Sequence, residues 1–312
     1  MKPDILLIEP LMKSIEGDLE ARYTVHRSYD PLQADAIERV LPDVRAVVTG
    51  GGSGLSNEWM QKLPALGVIA INGVGIDKVD LSFARSRGVH VTTTPGVLTD
   101  DVADMGLALM LAVLRRIPAG DRFVREGQWS GNGFALGHSP KGKRVGILGL
   151  GQIGQAFGRR AEAFGMVVQY WNRSDVADTS WTKFASPIEL AAGSDILVVC
   201  VAATPATQNI VNAEVLEALG KEGVLVNVAR GNVVDEDALL AALNDGTIAA
   251  AGLDVFVNEP NIRQEFFTSP NTVLMPHQGS ATYETRIAMG NLVLENLAAH
   301  FNGRIPPTAV NL

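Results

Sequence analysis

A glycine-rich turn in the middle of the chain limits its fold more than any other feature. Gly149-Leu150-Gly151-Gln152-Ile153-Gly154 follows the apolar run Arg144 to Leu148 and precedes a helix-like stretch through Arg160. A bare G-x-G-x-x-G is weak in a chain with 32 glycines, so the strand before it and the helix after it give the motif its weight. In that setting one glycine permits the tight turn, one lets a pyrophosphate approach the backbone, and one lets the helix pack on the strand. Unpaired N–H groups at the helix N-terminus then receive the phosphates. Gly149, Gly151, Gln152, Ile153 and Gly154 are therefore expected to bind a dinucleotide.

The next strand ends in Tyr170-Trp171-Asn172-Arg173-Ser174, with Arg173 standing 19 positions past Gly154. Folds that read NAD place an acid about 20 residues beyond the glycines, where it binds the ribose 2′-hydroxyl. A guanidinium there attracts a 2′-phosphate instead. Asn172 and Ser174 add phosphate-compatible donors. The expectation is a preference for NADPH, with NADH still usable.

A chain of 312 residues suggests two domains. Apolar runs at 5–8, 46–49, 68–71 and 89–92 read as strands alternating with helical patterns. A second series follows at 144–148, 166–171, 195–201, 224–228, 249–253 and 272–275. Such alternation predicts an α/β protein with two doubly wound parallel-sheet domains in tandem. Asp100 to Phe123 is expected to form one long helix between them, followed by a loop over 127–133. Tyr283 to Phe301 is expected to form a late helix that returns to the first unit.

The net charge of −8, without any Lys/Arg-rich run, argues against a nucleic-acid partner. The apolar stretch Met105 to Leu114 stops at Arg115-Arg116, too short to span a bilayer. The opening residues meet Glu9 after four apolar residues, which is unlike a signal-peptide core and implies a cytoplasmic protein. The single cysteine, Cys200, sits in a strand-like run; it excludes an intrachain disulfide and leaves no cysteine-based metal site. No metal is expected.

Hydride transfer to a carbonyl requires a proton donor for the new alkoxide and a cation to hold the substrate. Of five histidines, His277 alone directly follows a predicted strand of the nucleotide unit, and strand C-termini are where open α/β sheets bind ligands. Arg230, just past the 224–228 strand, is placed to hold a keto acid. Glu259, past the 249–253 strand, is placed to accept from His277, fix its tautomer and raise its pKa. In the first unit, Asn72-Gly73-Val74-Gly75-Ile76-Asp77 offers backbone N–H groups as a nest for a substrate carboxylate. The run Thr49 to Gly54 lacks the Gly-Lys-Ser/Thr ending of a phosphate loop and reads as a flexible turn.

In order, the 72–77 turn, Val97-Leu98-Thr99-Asp100-Asp101-Val102-Ala103-Asp104, the glycine loop, Arg230, Glu259 and His277 resemble the D-isomer-specific 2-hydroxyacid dehydrogenase family over nearly the whole chain. The resemblance implies a Rossmann dinucleotide-binding domain (100–284) inserted into a flavodoxin-like substrate domain (1–99 and 285–312). It implies that His277 is the acid/base, that Glu259 orients it, that Arg230 binds substrate, and that Val74 and Gly75 hold the carboxylate. Asp254 would contact the nicotinamide amide, with Val201, Ala202, Val228 and Gly279 also along the cofactor.

Within the family, Asn172-Arg173-Ser174 and His277-Gln278-Gly279-Ser280 look most like the NADPH-dependent glyoxylate and hydroxypyruvate reductases. Trp129 resembles a tryptophan that reaches the neighbouring subunit's substrate pocket, which implies a homodimer. Gln278 departs from a common aliphatic residue and Ala202 from a common proline; neither removes a group the chemistry needs. One alternative is an NAD-dependent dehydrogenase of another D-2-hydroxy acid such as 3-phosphoglycerate, which would want more cations near the 73–75 turn than Lys78. Another is a non-catalytic dinucleotide-sensing protein, against which Arg230, Glu259 and His277 all speak.

Overall fold

A computed structural model of the chain describes residues 2–131 and 133–312; Met1, and Asn132 of the expected 127–133 loop, lie outside the described residues. The chain divides into two units, one reaching to Leu98 and resumed over Ser280–Leu312, the other spanning Thr99–Gly279. The second crossing falls five residues before the expected 284/285. The Thr282 hydroxyl accepts from the Thr285 N–H and caps the last helix, so the approach to that helix groups with it.

The first unit contains β1 (Asp4–Leu7), β2 (Thr24–Arg27), β3 (Val44–Gly50), β4 (Val68–Asn72) and β5 (His90–Thr92). Its helices are α1 (Lys13–Arg22), α2 (Ala34–Val40), α3 (Asn57–Gln61), α4 (Leu81–Ser86) and, from the end of the chain, α12 (Tyr283–Phe301). The strands are parallel in the order β2-β1-β3-β4-β5. Ile5, Leu7, Ala46, Val48, Val68 and Ala70 meet Ile15 and Leu19 of α1 and Val293 and Leu297 of α12. Leu6, Val47, Ile69 and Ile71 share a separate core with Met60 and Leu63. Burial on both faces is why these strands read as continuous apolar runs. β2 escaped the sequence reading because Thr24-Val25-His26-Arg27 is a mostly polar edge strand paired only with β1.

The second unit contains β6 (Arg144–Leu148), β7 (Val167–Trp171), β8 (Thr182–Lys183), β9 (Ile196–Val199), β10 (Val224–Asn227), β11 (Ala250–Leu253) and β12 (Thr272–Leu274). Its helices are α5 (Thr99–Leu114), α6 (Ile117–Arg125), α7 (Gln152–Ala163), α8 (Pro187–Ala192), α9 (Ala213–Leu219), α10 (Glu236–Asp245) and α11 (Glu265–Thr268). All pairings are parallel, in the order β12-β11-β10-β9-β6-β7-β8. The order reverses beside β6, which creates a crevice at the carboxyl ends of β6 and β9. A core of Leu148, Leu197, Val199, Leu225 and Leu253 packs with Leu216, Leu239 and Leu243. α5 packs on α7, where Arg160 donates to Asp104 (2.5 Å) and Asp100 (2.9 Å).

The single helix expected over 100–123 is two helices. Pro118 cannot donate an N–H to the Leu114 carbonyl and its ring would crowd that oxygen. The chain turns at Arg116, which takes a left-handed conformation (φ 55°), and the Leu114 carbonyl accepts from the His138 N–H at 2.8 Å instead. Among the described residues no helix is long and apolar enough to cross a membrane, and no cluster of side chains could hold a metal ion.

Candidate active site

The glycine loop joins β6 to α7, and its glycines are needed for different reasons. Gly149 has φ 101°, and a Cβ there would lie 2.7 Å from the Val201 nitrogen. A Cβ on Gly154 would lie 2.2 Å from the Gly149 carbonyl oxygen, so only glycine lets α7 pack this closely. A Cβ on Gly151 would meet nothing within 4 Å, which marks open space over the helix start. No side chain caps α7 at Gly151. A glycine-walled space facing an uncapped helix N-terminus suits a pyrophosphate.

Past β7, the Asn172 side chain fastens two loops together. Its Oδ1 accepts from the Leu150 N–H at 3.3 Å, and its Nδ2 donates to the Ser174 carbonyl at 3.0 Å and hydroxyl at 3.3 Å. Arg173, between them, is exposed, and its guanidinium makes no ion pair among the described residues. Val201 and Val228 are buried, whereas Ala202 is exposed and its carbonyl accepts from the Thr207 hydroxyl at 2.7 Å. These positions fit a dinucleotide bearing a 2′-phosphate.

Three loops past β10, β11 and β12 carry Arg230, Glu259 and His277. His277 Nδ1 lies 2.6 Å from Glu259 Oε2, while Glu259 Oε1 accepts from the Phe256 N–H at 2.7 Å. The carboxylate thus has one oxygen fixed by backbone and the other on the imidazole. Burial pushes the Glu259 carboxyl up; the hydrogen bonds from His277 and Phe256 and the charges of His277 and Arg230 outweigh it and hold the group below the usual carboxylate range. A charged carboxylate on Nδ1 selects the tautomer that leaves Nε2 for another partner.

His277 itself stands in a left-handed conformation (φ 56°), which is uncommon outside glycine. Asp254, the first residue past β11, holds it there: the Asp254 carbonyl accepts from the His277 N–H at 2.8 Å. Its Oδ1 accepts from the Gln278 N–H at 2.7 Å and its Oδ2 from the Gly279 N–H at 2.8 Å. Burial raises the Asp254 carboxyl above its ordinary value although both backbone donors and the His277 charge pull it down. Asp254 was expected beside a nicotinamide; fixing the 277–279 loop is a task the sequence did not reveal. Buried Asn227, also unforeseen, brackets the Arg230 turn, accepting from the Ala229 N–H and donating to the Arg230 carbonyl, both at 3.0 Å. Its signal was a polar residue closing the apolar strand Val224-Leu225-Val226.

Gly231 lets the Arg230 loop lie against the Glu259 loop, since a Cβ there would sit 2.0 Å from the Phe256 carbonyl carbon. In the first unit, exposed Val74 and half-buried Gly75 follow β4 in a bend, with the Gly73 carbonyl accepting from the Thr94 N–H at 2.8 Å. Trp129, beyond α6, is 68% exposed. Cys200, just past β9, is half-buried, and burial pushes its thiol up to about 12.

A family profile described as "D-isomer specific 2-hydroxyacid dehydrogenase, NAD binding domain" matches residues 107–279. The chain is 48% identical over 310 residues to a 2-ketogluconate reductase of Gluconobacter oxydans, covering 99% of both proteins. It is 42% identical over 301 residues to a glyoxylate/hydroxypyruvate reductase of Arabidopsis thaliana, covering 96% of both. Among solved structures, an NADPH-dependent glyoxylate/hydroxypyruvate reductase of Sinorhizobium meliloti, in complex with NADP and malonate, superposes with a TM-score of 0.93 at 40% identity, covering 99% of this chain and 97% of that one.

Proposed function

The chain belongs to the D-isomer-specific 2-hydroxyacid dehydrogenases, and on that premise we propose that it reduces small 2-keto acids such as glyoxylate and hydroxypyruvate with NADPH. The observation that carries the reading is the 2.6 Å contact between His277 Nδ1 and Glu259 Oε2, on loops past the strands of the sheet that bears the glycine loop. A proton donor beside a nucleotide site is what carbonyl reduction needs.

The cofactor would lie along Gly149 to Gly154, with its 2′-phosphate on Arg173, Asn172 and Ser174, and with Val201, Ala202, Val228, Asp254 and Gly279 toward its nicotinamide. Bound there, it supplies the hydride. Protonated His277 gives its Nε2 proton to the oxygen of the keto group as that oxygen gains charge. Glu259 keeps the imidazole oriented until then. Arg230 draws the carbonyl and carboxylate into place, and the Val74 and Gly75 N–H groups receive the carboxylate. In this reading the first unit serves the substrate and the second the dinucleotide.

The proposal includes a homodimer in the cytoplasm, with Trp129 reaching the partner's substrate. Ile117, Val124, Trp129 and Leu136 are exposed around a helix that buries none of its own residues, a surface that a second copy would cover. Steady-state reduction of glyoxylate, hydroxypyruvate and phenylpyruvate with NADPH and NADH tests the whole reading. Turnover with NADPH is expected to exceed that with NADH; no turnover of any keto acid would remove it.

A further inference from the structure

Glu236 is the first residue of α10, and Asp235 caps that helix by accepting from the Ala238 N–H at 3.1 Å. From this fixed start the half-buried Glu236 side chain reaches the turn past β11, where its Oε1 accepts from the Val257 N–H at 2.7 Å. The neighbouring Phe256 N–H donates to Glu259 Oε1, also at 2.7 Å. Two consecutive backbone donors thus hold two carboxylates, one reaching in from α10 and one folding back from the turn itself.

The two bonds do different things. The one from Phe256 closes the turn on itself, whereas the one from Val257 fastens it to a separate helix. Asn258, between Val257 and Glu259, takes a left-handed conformation (φ 60°), so the carboxylate that meets His277 stands only two residues beyond the fastened peptide. The Arg230 loop also crowds that peptide, since a Cβ on Gly231 would lie 2.3 Å from the Val257 nitrogen. The turn therefore has both α10 and the Arg230 loop as close neighbours.

Electrostatics alone does not favour a carboxylate here. Burial, the largest influence, raises the Glu236 carboxyl; the Val257 N–H and the Arg263 charge oppose that, and the charges of Asp237 and Glu259 add to it. A second carboxylate near Glu259 is thus kept against burial and like charge, and what it obtains is the bond to Val257. A charged acceptor makes a shorter and stronger bond to an N–H than a neutral one. Hydrogen bonds weaken steeply with misalignment, so a small shift of the turn would part Glu259 from His277 Nδ1.

We propose that Glu236 is a positioning residue for the proton donor: by holding Val257 to α10 it keeps Glu259 within hydrogen-bond reach of His277, and it acts on the reaction through Glu259 alone. This rests on the reading that His277 gives up the proton to the keto oxygen.

The test follows glyoxylate reduction with NADPH. Glu236→Ala, and Glu236→Asp, which keeps the charge but shortens the reach, should each lower kcat about tenfold with the KM for NADPH within about twofold of wild type. Glu236→Gln, whose amide oxygen can still accept from the Val257 N–H, should stay within about threefold. In a Glu259→Gln background the shortened variants should cost less than about twofold more, since a residue acting through Glu259 has nothing left to position. The Glu259 carboxylate is faced by His277 from past β12, Arg230 from past β10, Asp254 just past β11 and Glu236 from α10. In the shortened variants the acid limb from Glu259 should move up toward the ordinary carboxylate range, since burial, which raises it, stays while the His277 hydrogen bond that holds it down is loosened. Equal losses in both backgrounds, no loss in either, or an acid limb that does not move overturns the proposal. If no keto acid is reduced, the reductase reading fails, and the proton NMR signal of the His277 Nδ1–H decides the positioning: a downfield resonance kept in Glu236→Gln and lost in Glu236→Asp supports it, and one absent from wild type or unchanged in Glu236→Asp overturns it.

Discussion

Glu259 and His277 meet at 2.6 Å although 18 residues separate them and each stands on a loop past a different strand. The parallel register of β10, β11 and β12 brings those loop origins side by side. His277→Ala should lower kcat about 10²- to 10⁴-fold, the usual share of general acid catalysis, and leave NADPH affinity unchanged in a fluorescence titration. Near-normal turnover would take His277 out of the mechanism.

Glu259 gives a pH prediction. Its carboxyl is held below the usual carboxylate range, so what its charge contributes to stability and to orienting His277 is present above the ordinary value and lost as pH falls through the lowered one. The acid limb of the pH–rate profile from this group should therefore lie below the ordinary carboxylate range and vanish in Glu259→Gln. A variant that keeps that limb assigns it to another group.

Asp254 has the opposite sign. Its folded-state value is raised, so its contribution to stability is present at low pH and declines as pH rises from the ordinary carboxylate value through the raised one. Asp254→Asn replaces an acceptor with a donor facing a backbone N–H, at about 1–3 kcal/mol. Thermal melts should show a smaller Tm penalty for this variant at pH 7 than at pH 4.5; a penalty that grows toward neutrality contradicts the raised value.

Arg173→Ala removes charge-assisted contacts to a 2′-phosphate, of about 1.5–3 kcal/mol. NADPH should bind roughly tenfold to a hundredfold more weakly, with NADH changed by less than about threefold. Parallel losses for the two cofactors would mean that Arg173 does not read the phosphate.

The second and third glycines of the loop should separate folding from binding. Gly154→Ala forces a Cβ to within 2.2 Å of the Gly149 carbonyl oxygen and should lower Tm, at about 1–3 kcal/mol for overpacking. Gly151→Ala meets no protein atom within 4 Å and should melt like wild type while raising the KM for NADPH about tenfold. A cofactor that tolerates alanine at 151 does not lie over this turn.

What the sequence disclosed followed physical periodicity. Fully buried strands such as Ile196–Val199 and Val224–Asn227 announce themselves as apolar runs, and Arg230, Glu259 and His277 were found because each lies in a loop past an apolar run. β2 and β8 stayed hidden because an edge strand needs little apolar surface and Thr182–Lys183 is only two residues long. The break at Arg116 is signalled by Pro118, but the apolar periodicity continues past it and favours one helix. The hydrogen bonds that the Asp254 carboxylate accepts from backbone N–H groups, and those that join Asn227 to the Arg230 turn, depend on loop closure, which residue identity alone does not specify.

The Asp254 clamp changes how position 278 should be regarded. What the clamp takes from this residue is its main-chain N–H, while the Gln278 side chain only reaches back to the Pro276 and His277 carbonyls. An amide hydrogen is common to nineteen of the twenty residue types, proline alone lacking it. The departure from an aliphatic residue here is therefore a silent spelling difference: His277 keeps its post whichever side chain stands beside it.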